Sequence, residues 1–370
     1  MGSLYDYLKW RGDLSFSQSE INEVDSLIFS LLSYVDFYGV VSPSHDNIDA
    51  LPLRSASNRF FAQNPDEKKI SMGVIVPKQI ITLLRLVKET PRFRNVMVKA
   101  HVNAIDLDRQ MQFSATTFVI DDKIAVVTFR GTDDTLVGWK ENFNMSFMDS
   151  VPAQREAASY LETAAENFTG DLYVTGHSKG GNLAVYAAVH CSANVQGRLI
   201  QVWSNDGPGF RNTMLSNPSY IRVRPVIRTL IPESSLVGIL LEHEENYIVV
   251  KSRQKGALQH DGLTWEVMGA SFVHLETVSQ ECKRFDRDLN GWIQIMSLEQ
   301  REQFTEALYQ LLSIEDALTL TDLVSVKKLW KSKGRELDPQ VYKTLKQTLS
   351  VLVSLSAKNF IGGIVPKRRK

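Results

Sequence analysis

Cysteine is scarce in this chain of 370 residues, which contains only Cys191 and Cys282. The two lie far apart and form no CxxC or CxxH pattern, so neither a disulfide framework nor a structural zinc site is expected. We expect two reduced and mostly buried thiols instead, because free cysteine behaves as a small apolar residue.

Long apolar runs are also missing. No stretch reaches the roughly 18 apolar residues that suggest a membrane-spanning helix. The amino-terminal segment MGSLYDYLKW lacks the apolar core of a signal peptide. The sequence therefore predicts a cytoplasmic protein without a transmembrane segment.

Neither sign of charge is in excess, since Lys and Arg number 42 and Asp and Glu also number 42. This balance argues against a strongly basic protein that binds nucleic acid, and against an acidic solvating tail. Apolar residues make up 43% and charged residues 23%, which is globular composition and excludes wholesale disorder.

The first 70 residues predict a helical accessory segment. The apolar residues of Glu20–Val35 fall on one helical face. The stretch 42–58 is polar and contains two prolines, so it predicts a loop. A second helix is predicted over Pro77–Glu89, beginning at a proline and ending before another.

Residues 71–278 predict an α/β core, because strand-like runs alternate with helical ones. Such alternation implies parallel strands joined by right-handed crossovers, and hence a mostly parallel central sheet. The predicted strands are Asn95–Ile105, Ser114–Ile120, Ile124–Phe129, Asp171–Thr175, Leu199–Trp203, Val226–Ile231 and Asn246–Lys251, and the predicted helices between them are Val151–Asn167 and Lys179–His190.

The strand pattern stops at Ser279, and residues 279–370 predict an α-helical extension. Within it, Asp286–Gly291 begins like a calcium loop, D-x-D-x-N-G, but position twelve is Ser297 rather than Glu, so we expect no calcium site. The helices predicted in this extension are Ser297–Leu312, Thr319–Lys333 and Pro339–Leu355.

The segment that carries chemistry is the hexapeptide GHSKGG at residues 176–181. It follows an apolar strand and opens a helix, which is the context of a G-x-S-x-G nucleophile elbow. The bare pattern is common by chance, and its position between strand and helix makes it informative. Ser178 is the predicted nucleophile, and the Lys179 amide at the helix amino terminus is a predicted oxyanion donor.

A serine nucleophile needs a histidine base from another loop. His260 lies in a short polar loop after the last predicted long strand and is the preferred candidate, with His243 and His274 as alternatives. His177 is expected to orient its neighbours, because its side chain should point into the scaffold.

The acid of the triad has two candidates. Asp206 lies just past the predicted strand Leu199–Trp203. This is the carboxyl end of a parallel strand, where the sites of such sheets form. The same aspartate also suits an Asx turn before Gly207. Glu233 follows the next strand and is the alternative acid.

Four sequence blocks carry a family resemblance: VVTFRGTD at 126–133, Trp139, the GHSKGG block, and QHD at 259–261 with Trp265 just beyond. Together they resemble the class 3 lipase branch of the α/β-hydrolases, and particularly a set of uncharacterised bacterial proteins within that branch. The resemblance covers about residues 70–275 and leaves the two terminal segments unexplained.

The resemblance implies an α/β-hydrolase fold and assigns the second oxyanion donor to the backbone amide of Thr132. In class 3 lipases the acid more often follows the next strand, which is the position of Glu233. The family usually has an aliphatic residue after the serine, whereas this chain has Lys179. A charge there is expected to disfavour a greasy substrate and to favour an anionic headgroup.

These patterns predict a serine hydrolase that cleaves carboxylic esters, of small molecules or lipids, through Ser178, His260 and Asp206. Neither a metal nor an organic cofactor is implied. Two alternatives stay open, namely a non-catalytic α/β-hydrolase scaffold and another acyl-transfer enzyme such as a thioesterase or peptidase. The run Ser235–Leu241 is interpreted as lining an acyl pocket or a lid, or as core, and the oligomeric state is left open.

Overall fold

A computed structural model describes residues 1–46, 49–72, 76–133, 135–243 and 247–312. Within these residues, nine strands form one sheet in the order β1-β2-β3-β4-β5-β6-β7-β8-β11, and β9 and β10 form a separate ribbon. The strands are β1 (Leu51–Pro52), β2 (Met97–Asp106), β3 (Met111–Val119), β4 (Ile124–Phe129), β5 (Asp171–His177), β6 (Leu199–Asn205), β7 (Ile227–Pro232), β8 (Ile248–Val250), β9 (Val267–Met268), β10 (Ser271–Phe272) and β11 (His274–Leu275).

The centre of the sheet is parallel, as the alternating pattern predicts. Strands β4 to β8 pair in parallel and in chain order, whereas β1 to β3 and β11 pair antiparallel at the two edges. The carboxyl ends of the parallel strands therefore meet at one edge of the sheet, where ligand sites of such sheets form. The loops after β4, β5, β6 and β7 all begin there.

Helices cover both faces of the sheet. Successive residues of a strand point to opposite faces. Val126 therefore joins the apolar cluster that includes Leu27 and Leu84, while Val127 joins the cluster on the other face that includes Leu161 and Leu183. The helices are α1 (Leu4–Arg11), α2 (Glu23–Leu32), α3 (Leu53–Gln63), α4 (Gln79–Val87), α5 (Leu136–Asn144), α6 (Pro152–Glu166), α7 (Lys179–His190), α8 (Ala193–Gln196), α9 (Asn212–Leu215), α10 (Pro218–Val223), α11 (Gln280–Ile295) and α12 (Leu298–Leu312).

The amino-terminal segment differs from its prediction in one stretch. Residues 42–58 are not a continuous loop, because they contain β1 and the start of α3. Pro52 stands at the N-cap of α3 rather than inside it, a position where proline breaks no helical hydrogen bond. Leu53, Ala56 and Phe60 then bury one face of the helix.

Five further helices have no counterpart in the sequence interpretation of the core and the extension, namely α5, α11 and the short helices α8, α9 and α10. Helix α5 follows the loop after β4, and α11 spans Gln280–Ile295 and so includes the calcium-like hexapeptide. Helix α12 matches the prediction over Ser297–Leu312 within a residue. The helices predicted over 319–333 and 339–355, and the basic residues 367–370, lie outside the described residues.

Candidate active site

Ser178 lies on a sharp turn between β5 and α7. Its φ of 59° and ψ of −133° are unusual for a non-glycine residue. The turn is held by the Ser178 N–H, which donates to the Asn205 carbonyl at 2.9 Å. A Cβ on Gly180 would overlap the Phe129 carbonyl, so glycine there lets α7 approach β4 closely. This geometry is that of a nucleophile elbow.

His260 and Asp206 meet beside this turn. His260 Nδ1 lies 2.6 Å from Asp206 Oδ2, although the two residues are 54 positions apart. The Asp206 side chain is fully buried and the His260 ring is one-quarter exposed. Because an ionised carboxylate only accepts hydrogen bonds, Nδ1 carries the proton and Nε2 has the free lone pair of a base.

The second carboxylate oxygen of Asp206 is also held. Oδ1 accepts hydrogen bonds from the Ser235 hydroxyl and from the Gly238 N–H, the latter at 3.1 Å. Asp206 has a φ of 52°, a value that aspartate tolerates better than most residues. Its carboxylate thus bonds to the loop after β7 and to His260.

The alternative acid and the alternative bases have other partners. Glu233 Oε1 accepts from Gln259 Nε2 at 3.4 Å rather than from His260. His243 donates from Nε2 to the Gly238 carbonyl, and His274 Nε2 lies 2.8 Å from Glu23 Oε1. Of the candidates from sequence, the structure joins His260 and Asp206.

The loop that carries His260 is fixed by its neighbours. The fully buried Trp265 donates its indole N–H to the Gln259 carbonyl at 2.9 Å. The Gln259 side-chain oxygen accepts from the Ser234 N–H at 2.8 Å. Both contacts restrain the backbone next to His260, which positions the histidine with little freedom.

His177 is buried and makes two hydrogen bonds. Its Nε2 donates to the His260 carbonyl at 2.8 Å, and its Nδ1 lies 3.1 Å from the Tyr34 hydroxyl. Burial, with a smaller effect of His260, lowers the pKa of His177 from 6.5 to about 3. The side chain therefore points into the scaffold, as the sequence predicts, and its orienting role stays a prediction.

The two predicted oxyanion donors border the same turn. A Cβ on Gly131 would come within 3.0 Å of the Ser178 Cβ, so the loop carrying Thr132 passes directly beside the serine. The Thr132 hydroxyl is hydrogen-bonded to the Asn142 side chain. As the first residue of α7, Lys179 has an amide without an intrahelical partner. The assignment of the two backbone amides to an oxyanion hole stays a prediction.

The side chain of Lys179 is buried inside the protein. Its ammonium donates to the Gln112 carbonyl at 2.6 Å and to Glu141 Oε2 at 2.7 Å, and both charged side chains are buried. The expectation that this charge meets an anionic headgroup is therefore wrong. The charge is already paired within the protein.

Ser178, His260, Thr132 and Lys179 line one cavity of about 270 Å³. Its other walls are mainly apolar, and three of the residues that form them come from the run Ser235–Leu241. Within the described residues, the serine hydroxyl and the histidine make no direct hydrogen bond, as is common before substrate binds. The apolar walls include Trp139, Phe143, Val237, Leu240, Leu241 and Phe304.

Three further observations concern the described part of the chain. Its residues contain no group of three or more His, Cys, Asp or Glu side chains placed to hold a metal ion. Among its helices, none is long and apolar enough to cross a membrane. Cys191 and Cys282 are buried free thiols.

Several neighbours of the site were not predicted. Tyr34 and Glu141 carry no local motif that marks them as functional. Helix α12 was predicted as a helix but not as a neighbour of the site, and the hydrogen bond of Ser235 to Asp206 was not predicted. The apolar face of α12 is the one signal in the sequence, and it indicates burial without a partner.

Fold and site together define an α/β protein with a serine at a strand-to-helix elbow and a histidine–aspartate pair beside it. The chain belongs to the Mbeg1-like family, whose model matches residues 87–310. No curated protein matches it. A solved structure titled "Crystal structure of M37 lipase" shares 14% identity over 58% of this chain and 67% of that one, with a TM-score of 0.36.

Proposed function

We propose that this protein is a serine hydrolase that cleaves carboxylic esters with an apolar acyl group. The observation that carries the proposal is the 2.6 Å hydrogen bond between His260 Nδ1 and the buried Asp206, beside a serine on a strained turn. A histidine oriented in this way is the base that a serine nucleophile requires. We further propose the class 3 lipase-like branch, on the sequence blocks around residues 126–133, 176–181 and 259–265.

The first half of the reaction forms an acyl-enzyme. Ser178 Oγ attacks the ester carbonyl while His260 Nε2 takes the hydroxyl proton. The backbone amides of Thr132 and Lys179 stabilise the negative oxygen that develops. His260 then gives the proton to the departing alkoxide, so the alcohol leaves and the acyl group stays on Ser178.

The second half releases the acid. Water takes the place of the alcohol, and His260 Nε2 accepts its proton as it attacks the acyl carbon. The proton returns to Ser178 Oγ, and the carboxylic acid dissociates. Asp206 accepts from Nδ1 throughout, which fixes the tautomer and stabilises the imidazolium.

The cavity argues for an apolar acyl group. Aromatic and aliphatic side chains form most of its walls, and such walls bind substrate by excluding water from apolar surface. The ammonium of Lys179 does not oppose this, because it is buried and paired with Glu141. The cytoplasmic location and the boundaries near residues 70 and 278 stay predictions.

The test combines labelling and turnover. Wild-type protein is treated with a fluorophosphonate probe and assayed with nitrophenyl esters of increasing chain length. Ser178→Ala is expected to lose all labelling and to lower kcat by at least about 10³-fold, because the nucleophile is gone.

The matched control is Ser146→Ala, which removes a hydroxyl from a residue that lines the same cavity and bonds the Phe143 carbonyl. It should label like wild type. Labelling that persists in Ser178→Ala, or a folded wild type that neither labels nor turns over any ester in the presence of detergent, would overturn the proposal in favour of a scaffold.

A further inference from the structure

A tyrosine from the amino-terminal segment reaches the candidate active site. Tyr34 lies just after α2, outside the residues 87–310 that the family model matches. Its hydroxyl lies 3.1 Å from His177 Nδ1, a residue 143 positions away. It also packs against Gly131, where an added Cβ would overlap the hydroxyl oxygen. One hydroxyl therefore touches both the elbow and the loop that leads to Thr132.

The directions of the hydrogen bonds follow from the partners. A carbonyl oxygen only accepts, so the bond between His177 Nε2 and the His260 carbonyl requires a proton on Nε2. In a neutral ring Nδ1 then has a lone pair and must accept from the Tyr34 hydroxyl. The chain of donors runs from Tyr34 through His177 to the backbone of His260.

The ring keeps this arrangement over a wide pH range. Burial lowers the pKa of His177 to about 3, so the ring stays neutral and its two nitrogens keep opposite roles. A neutral, buried ring with both nitrogens bonded has one orientation. The ring of His260 packs against it in a tilted arrangement, with centroids 4.7 Å apart and planes at 33°.

Hydrogen bonds join helix α2 to strand β5 and to Asn205, and these contacts fix the position of the Tyr34 backbone at the end of the helix. The Ser30 hydroxyl lies 2.8 Å from the Thr175 hydroxyl on β5, and Asn205 Nδ2 donates to Ser30 Oγ at 3.2 Å. The Tyr34 N–H donates to the Leu31 carbonyl at 3.2 Å, at the end of the helix. Tyr34 is thus held by the same two strands that carry Ser178 and Asp206.

We infer that Tyr34 is a positioning residue for the hydrolase, holding the backbone of His260 through His177 and so keeping the His260 ring at the cavity that Ser178 also lines. The inference rests on the proposed function and deepens it. It assigns the amino-terminal segment, which carries no catalytic group, a part in the reaction.

The experiment compares Tyr34→Phe with Tyr7→Phe in the full-length protein. Both substitutions remove one buried hydroxyl from the amino-terminal segment. The Tyr7 hydroxyl bonds to Asp25 and Asn22, which are not part of the site. Tyr34→Phe is expected to lower kcat about tenfold, the effect of one lost hydrogen bond, with KM within about twofold of wild type. Tyr7→Phe should lower Tm and leave kcat unchanged.

A second pair of variants changes His177, the residue that joins Tyr34 to the His260 carbonyl. This pair tests the inference if Tyr34→Phe does not fold. His177→Gln keeps a donor and an acceptor and should retain kcat within about threefold, whereas His177→Leu keeps neither and should lose at least about tenfold. These changes should appear in kcat rather than in KM.

The outcomes separate this inference from the proposed function. Equal losses of kcat in Tyr34→Phe and Tyr7→Phe, or equal losses in the two His177 variants, would overturn the positioning role while Ser178-dependent labelling still supports the hydrolase. Absence of labelling and turnover in wild type would overturn both.

Discussion

The two carboxylate oxygens of Asp206 have separate partners. Oδ2 accepts from the His260 ring, and Oδ1 accepts from Ser235 and Gly238. The carboxylate is fully buried, so all of its stabilisation comes from these donors. Its position therefore fixes the histidine ring and the loop after β7 together.

Replacing this acid should reduce the reaction rate strongly. In Asp206→Asn the amide can present an N–H to Nδ1, which favours the tautomer that has no lone pair on Nε2. We expect kcat to fall roughly 10³- to 10⁴-fold with the fold retained, measured as nitrophenyl ester turnover.

The control for Asp206→Asn is Glu233→Gln, because Glu233 contacts Gln259 and not the histidine ring. It should keep kcat within about threefold of wild type. A larger loss in Glu233→Gln than in Asp206→Asn would show that the acid is the residue after β7.

Helices α5 and α7 are joined by a buried ion pair. Glu141 of α5 accepts a hydrogen bond from the Lys179 ammonium at 2.7 Å. It also accepts from the backbone N–H of Gln112 at 3.1 Å and from the backbone N–H of Ala153 at 2.8 Å. A buried pair whose partners are also hydrogen-bonded avoids the cost of an isolated buried charge. The pair therefore fastens the start of α7, and with it the Lys179 amide, to the cavity wall formed by α5.

Helix α12 forms part of the cavity from the carboxyl-terminal side. Phe304 is buried and meets the Phe143 ring edge-on at a centroid distance of 6.3 Å. Arg301 donates to the Ser146 carbonyl at 2.7 Å, and Lys140 pairs with Glu306 at 2.5 Å. The helix is thus docked against α5 by apolar and polar contacts together.

Truncating Phe304 should change the preference for acyl chains. Phe304→Ala enlarges the cavity and removes apolar surface from its wall. We expect kcat/KM for short esters to fall about tenfold, equivalent to about 1.4 kcal/mol of lost apolar contact, and longer esters to lose less. The measurement is kcat/KM across a series of nitrophenyl esters of increasing acyl-chain length.

The companion variant is Gln303→Ala, on the exposed side of the same helix. It should leave the chain-length profile unchanged. A profile in Phe304→Ala that is parallel to that of wild type would show that α12 does not contact the acyl group.

At the scale of the whole molecule, the amino-terminal segment and the sheet share one core. Leu27 and Phe29 of α2 belong to the same apolar cluster as Val126 and Trp203 of the sheet. The buried Arg92 also pairs with Asp25 at 2.5 Å. Residues before and after position 70 therefore pack in one core. The domain boundary near residue 70 stays a prediction.

Folding stability should depend on pH through His177. Burial, then His260, lowers the pKa of His177 from 6.5 to about 3. The unfolded chain binds a proton there below pH 6.5 while the folded protein does not. The contribution to stability is therefore full above pH 6.5 and is lost as pH falls towards 3, by up to about 1.4 kcal/mol per pH unit.

The measurement is the free energy of urea unfolding at pH 7.5 and 5.5, for wild type and for His177→Gln. Wild type should lose about 1.4 kcal/mol more than the variant over this interval, since glutamine does not titrate. Equal losses would mean that the ring is protonated in the folded protein or is open to water.

The sequence by itself determined the local features of this protein. The strands β4 to β7, the helices α6 and α7, the elbow at Ser178 and the candidates His260 and Asp206 are found from patterns of neighbouring residues. Such patterns work because backbone conformation depends mainly on side chains a few positions apart. The helix over 53–63 was missed because a proline marks both a loop and a helix start.

Only the tertiary structure decided which distant residues meet. His260 bonds Asp206 rather than Glu233, Lys179 is paired with Glu141, and Tyr34 reaches His177 across 143 positions. Each choice depends on which strand ends are adjacent and on how α2 and α5 pack against them. The energies of those contacts come from burial and long-range register, and no short stretch of sequence contains them.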